Sequence, residues 1–118
     1  ITNELQTIVQ RLEQAMQHER PFLDPELSLQ KLADQLDVKP YLLTQALNGV
    51  VQKTFTDYIN EHRVQEAIRL LQQPDYAHYT LLAIGYEAGF NSKASFNRIF
   101  KKITGQSPGQ MRRSTMKK

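Results

Sequence analysis

The chain of 118 residues contains no cysteine and no tryptophan. Without thiols there are no disulfides and no thiolate-held metal, and the absence fits an intracellular setting. Its three histidines, His18, His62 and His78, have no metal-ligand spacing and form no HExxH pattern, so each reads as a surface or helix-packing residue. The five glycines are scattered at expected helix ends, which excludes a phosphate-cradling glycine loop. No nucleophile stands beside an activating base, and Glu4, Glu13, Glu19, Asp34 and Asp37 read as exposed acids. The expectation is a non-enzyme with no cofactor and no metal site. No apolar run approaches the ~20 residues that span a bilayer, and no signal peptide is visible. A chain that starts with Ile rather than Met is expected to be an excised or processed domain, with any sensor or dimerisation module elsewhere.

Acidic residues are missing from one end. Residues 91–118 hold eight Lys or Arg and no acid, whereas residues 1–38 hold three basic and seven acidic residues. Residues 39–90 are nearly balanced, with four basic and five acidic, so the net charge of +3 conceals a gradient. Such asymmetry points to a polyanion partner at the C-terminal end. Lys117 and Lys118 alone read as a solvated tail, but Arg98, Lys101, Arg112 and Arg113 lie inside expected helices.

The length allows one compact domain or two very small ones. Every clear periodicity is helical, which predicts an all-α fold of about seven helices. Ile1, Leu5, Ile8, Val9, Leu12 and Met16 predict an amphipathic helix over 2–18. Pro21 and Pro25 enforce a connection that Phe22, Leu23 and Leu27 pin to the core. Ser28 reads as the cap of a helix to Leu36, Asp37-Val38-Lys39 as a break, and Pro40 as the first turn of a helix to about Asn48-Gly49. Thr54 and Asp57 resemble a capping box for a long helix over about 55–72, closed by Gln73-Pro74-Asp75. Thr80 caps the next helix, and Gly89 supplies the positive φ of a tight turn. Phe90 returns to the core, and Ser92 or Asn91 caps a helix to about Thr104 with Phe96, Ile99, Phe100 and Ile103 as its apolar stripe. Gly105 ends it, and Ser107-Pro108 opens a last short helix. Tyr76 and Tyr79 beside His78 read as rings sealing the junction between the long helix and the helix capped by Thr80, in preference to a ligand surface.

Within this order lies a repeat: residues 29–48 and 81–101 each read as a short helix, a break and a longer helix. Leu32-Ala33 corresponds to Ile84-Gly85, Val38 to Phe90, and Leu43 and Leu47 to Phe96 and Phe100. A helix, a tight turn and a second helix with a polar outer face is the minimal device for reading a DNA major groove. The first unit turns Lys39, Tyr41, Thr44, Gln45 and Asn48 outward; the second turns out Ser92, Lys93, Ser95, Asn97, Arg98 and Lys101. Gln and Asn can bond an adenine edge, Thr can touch a thymine methyl, and Arg is the guanine reader. The expected base readers are Tyr41, Thr44, Gln45, Lys93, Asn97 and Arg98. The expected phosphate contacts are Lys39, Asn48, Ser92, Lys101 and Lys102.

The second unit closely resembles the signature of the AraC/XylS family of bacterial transcription regulators. It reads Ile84-Gly85, Gly89-Phe90, Phe96-Asn97-Arg98-Ile99-Phe100-Lys101-Lys102, Gly105-Gln106-Ser107-Pro108 and Arg112. The first unit aligns through Leu32-Ala33 and Leu43, then Phe55, Tyr58, Arg63, Ala67 and Leu70-Leu71, so the resemblance covers roughly residues 28–113. There are departures. Asp37 stands where the family usually has glycine, Leu47-Asn48 replaces Phe-Lys, Gly85 replaces alanine, and Met111 replaces an aromatic.

The resemblance implies two helix-turn-helix subdomains joined by a rigid linker helix; with the helix spans above, the expected division is 1–54 (the N-terminal helix plus the first subdomain), 55–72 (the linker helix) and 73–118 (the second subdomain). Both recognition helices would enter successive major grooves of double-stranded DNA, as the output domain of a cytoplasmic bacterial transcription activator. RNA polymerase would be a further partner and a sensor or dimerisation module would lie outside the domain. The alternative is a helical protein-interaction module that kept the fold and lost DNA affinity, motivated by the basic residues missing from the first unit.

Overall fold

The computed structural model describes residues 2–116; Ile1, Lys117 and Lys118, assigned above to an apolar stripe and a tail, lie outside the described residues. Seven α-helices and no strand are found among them. The chain forms two compact units, Ile1–Ile59 and Asn60–Lys118, which divide inside the long helix.

In the first unit, helix α1 (Thr2–His18) buries Ile8, Leu12, Ala15 and Met16, one stripe at helical spacing. Arg20 takes a left-handed conformation (φ 55°) that turns the chain into a 3₁₀ turn, Pro21–Leu23, with Phe22 driven into the core. Helix α2 (Leu29–Leu36) starts where Ser28 Oγ accepts the Lys31 amide at 3.1 Å. It ends at Asp37, which is left-handed (φ 57°, ψ 47°). Helix α3 (Pro40–Gln45) begins with Pro40 in its first turn. It does not stop near Asn48-Gly49 as the sequence predicts: it widens into a π-helical segment, Ala46–Val51, closed by left-handed Gln52. Gly49 and the β-branched pair Val50-Val51 are poor α-helix formers. The wider turn brings Val51 onto the face of Ala46 and Leu47, where it packs against the first core. Helix α1 packs on α2, on α3 and on this segment.

Helix α4 (Phe55–Leu71) is capped by Thr54 Oγ1, which accepts the Asp57 amide at 3.1 Å. Tyr58 and Ile59 belong to the first core, Val64, Ala67, Leu70 and Leu71 to the second. Glu66 is buried on this helix, and Arg69 donates from Nε and Nη2 to its two carboxylate oxygens at 2.9 and 2.8 Å. That pairing is what a buried carboxylate requires. A 3₁₀ turn, Pro74–Tyr76, follows.

The second unit continues with α5 (Leu81–Glu87), α6 (Lys93–Thr104) and α7 (Pro108–Met116). Thr80 caps α5, its Oγ1 accepting the Ala83 amide at 3.0 Å. At α7 the Ser107 hydroxyl accepts the Gln110 amide while Gln110 Oε1 accepts the Ser107 amide, a reciprocal capping box. Ile84, Ala88, Phe90, Phe96 and Phe100 form the centre of this core. Ile103, expected in the apolar stripe of α6, is exposed instead, because the packed face of that helix reaches no further than Phe100.

Candidate nucleic-acid interface

The repeat read from sequence exists in backbone hydrogen bonds. In the first unit Asp37 N–H donates to Asp34 O at 3.1 Å and Val38 N–H to Ala33 O at 3.0 Å. In the second, Gly89 N–H donates to Tyr86 O and Phe90 N–H to Gly85 O, both at 3.0 Å. Each pair wraps the last carbonyls of the first helix around a left-handed residue, Asp37 or Gly89. The hydrophobic residue after it, Val38 or Phe90, packs into its own core. Lys39 then serves as N-cap directly after Val38, whereas Asn91 intervenes between Phe90 and the N-cap Ser92.

Packing fixes which face of α6 reaches solvent. The Phe96 ring lies against Gly85 and between Phe90 and Phe100, with ring centroids 5.1 and 5.7 Å away. With Phe96 and Phe100 buried on one side, Lys93, Asn97, Arg98, Lys101 and Lys102 are exposed on the other. No acidic side chain and no side-chain hydrogen bond engages these five among the described residues. Ser92 is half-buried, and its Oγ accepts the Ser95 amide at 3.1 Å, so its lone pairs serve the helix cap. Thr104 and left-handed Gly105 (φ 83°) close the helix.

The first unit presents less charge. Leu43, Ala46 and Leu47 are buried, and that rotation leaves Lys39, Tyr41, Gln45 and Asn48 exposed with Thr44 half-buried. The Tyr41 ring is 61% exposed. Lys39 is the only cation from there to Gln52.

Arg112 must be removed from the set of charges that face a polyanion. Its Nη1 donates to Tyr79 O at 2.7 Å and its Nη2 to Tyr76 O at 3.3 Å, so it ties α7 to the loop before α5. No local signal marks these partners, which lie 33 and 36 residues away in the chain. The Tyr76 and Tyr79 rings, 4.7 Å apart, pack against the second core, while His78 is exposed beside Tyr79. No helix among the described residues is long and apolar enough to cross a membrane. No group of three or more His, Cys, Asp or Glu residues suited to a metal is present among them either.

Comparison with known proteins agrees with this geometry. The HTH-type transcriptional regulator GlxA of Rhizobium meliloti is 41% identical over 59 residues, which is 50% of this chain and 17% of that protein. The probable transcription factor PqrA of Proteus vulgaris is 37% identical over 59 residues, 50% of this chain and 46% of that one. The chain thus spans less than half the length of either. Among solved structures, the C-terminal domain of AraT, a response regulator from Geobacillus stearothermophilus, shares the fold. It superposes with a TM-score of 0.75 at 24% identity, covering 91% of this chain and 84% of that one. A helix-turn-helix domain family matches residues 32–114, both turns included. The chain belongs to the AraC-type family of helix-turn-helix DNA-binding domains.

Proposed function

We propose that this chain is the output domain of a bacterial transcription regulator, with α3 and α6 as its recognition helices. The observation that carries the reading is the outer face of α6, whose exposed cations have no acidic partner among the described residues on a helix held by Phe96 and Phe100. A fixed polar face of that kind suits a major groove, where phosphates set position and base edges set sequence. Arg98, Asn97 and Lys93 read bases, and Lys101 and Lys102 neutralise phosphates. The Ser92 hydroxyl retains a proton to donate to phosphate while capping the helix. In the first unit Tyr41, Thr44 and Gln45 face base edges, with Lys39 and Asn48 on the phosphate side. Each of the two helices enters a major groove of the duplex. The site of action is the bacterial cytoplasm, and activation proceeds through RNA polymerase under control of a sensor or dimerisation module outside this domain.

Fluorescence anisotropy on selected and random duplexes across a salt series tests the reading. The expected result is a steep fall of log affinity with log salt. Arg98→Ala should lose about tenfold or more on the selected duplex and relax preference at one base pair. Lys101→Ala should weaken all duplexes alike and reduce the salt slope by about one. Absence of binding at low salt would overturn the proposal and leave the interaction module as the reading.

A further inference from the structure

The two recognition helices differ in the chemistry they can offer a base pair. Helix α6 presents Lys93, Arg98, Lys101 and Lys102, whereas α3 and the π-helical segment after it contain no arginine and no lysine. Rotation of α3 and of this segment is not adjustable, since Leu43, Ala46 and Leu47 are between 0% and 1% exposed in the first core. Their outer face therefore consists of Tyr41, Thr44, Gln45 and Asn48, with Lys39 at the N-cap of α3.

Each of these groups has a matching surface in the groove. A guanine edge offers two acceptors and calls for a bidentate cation, which the body of α3 lacks. An adenine edge pairs one acceptor with one donor, the complement of a side-chain amide such as Gln45 or Asn48. The thymine edge adds a C5-methyl group, which meets the Thr44 methyl or the exposed Tyr41 ring.

We infer that α3 reads a half-site of A·T pairs by adenine-edge and thymine-methyl contacts, supplying sequence preference and little salt-dependent affinity. This rests on the reading of α3 as a recognition helix. Salt-dependent attraction comes from α6, so the first unit discriminates among sites on which the second is already anchored.

The test uses the chain on a duplex selected from a random library, then on copies in which single thymines are replaced by uracil, which removes only the methyl group. Tyr41 and Gln45 are exposed, so Tyr41→Ala and Gln45→Ala leave the first core intact. Gln45→Ala is expected to relax preference at one A·T pair by about tenfold and so to locate the half-site. Uracil in that half-site is expected to weaken binding by about fourfold, the worth of one buried methyl. That sensitivity should vanish in Tyr41→Ala or Thr44→Ser, and neither variant should change the salt slope. A G·C-rich half-site at the position located by Gln45→Ala, or indifference to uracil there, overturns the inference. So does binding that Arg98→Ala weakens and Gln45→Ala leaves unchanged, a result that keeps the proposed function intact. Failure of the unaltered chain to bind any duplex at low salt sinks the proposed function instead.

Discussion

Gly85 lies so close to Phe96 that a Cβ built on it would sit 2.6 Å from ring Cδ2 and 2.8 Å from Cγ. The contact joins α5 to α6 where the backbone of one meets the buried ring of the other. Cγ is anchored next to the main chain, so the ring cannot swing clear without moving α6.

Gly85→Ala is accordingly expected to destabilise the second unit, although alanine is the better helix former. Overpacking of a core position typically costs about 1–3 kcal/mol, which exceeds the propensity gain of about 1 kcal/mol. Thermal or urea unfolding measures the difference. Stability at or above that of the unaltered chain would show that α5 and α6 separate freely, contrary to the packing described.

The two turns make opposite predictions for the same kind of substitution. Asp37 occupies the left-handed region at φ 57° in the first unit, where Gly89 sits at φ 104° in the second. The Asp37 side chain is exposed, so little packing is lost on its removal. Asp37→Gly is expected to stabilise by up to about 1 kcal/mol by relieving left-handed strain, partly offset by chain entropy. Gly89→Asp should cost stability, because Gly89 is buried as well as left-handed. A urea midpoint for Asp37→Gly below that of the unaltered chain would contradict this account.

These turns also show what was legible in sequence. Caps are local: Ser28, Thr80, Ser92 and Ser107 each accept an amide three residues on, within reach of a short pattern. The repeat was legible because both units bury the same positions and close on the same hydrogen bonds. The candidate site followed from it, since a helix with Phe96 and Phe100 inside must turn Asn97, Arg98 and Lys101 outward. The π-helical segment was not legible, because Asn48-Gly49 reads as a helix end and the wider turn arises only where Val51 finds the core. Nor was the role of Arg112, since a basic residue near a basic helix reads as part of its charge until its partners, Tyr76 and Tyr79, are seen.

Tyr58 gives the fold a pH dependence at the alkaline end. Burial pushes its hydroxyl up to about 12 from the usual 10, and the nearby Glu13 carboxylate adds to the shift. A raised pKa means that the folded state holds its proton more tightly than the unfolded one. This contribution is complete below pH 10 and is lost as pH rises through about 12. Holding that proton is worth about 2–3 kcal/mol to the folded state. Tyrosinate absorbance should show a late-titrating component, and Tyr58→Phe should remove that component and shift alkaline unfolding upward. Unchanged titration in Tyr58→Phe would refute the assignment.

Charge can be restored to the first unit without disturbing its packing. Gly49 follows Asn48 near the end of the first recognition helix, as Lys102 follows Lys101 in the second. A Cβ at Gly49 meets no atom within 4 Å, and its φ is not left-handed, so lysine fits there without strain. Gly49→Lys is expected to raise affinity for all duplexes and steepen the salt slope by about one, the signature of one added phosphate contact. Replacing glycine inside a helical segment should also add stability, up to about 1 kcal/mol. Sequence preference at the first half-site should stay as it is, because Tyr41, Thr44 and Gln45 are untouched. An unchanged salt slope in a folded Gly49→Lys variant would mean that this end of the helix does not approach the backbone, and that the first unit does not enter the groove as proposed.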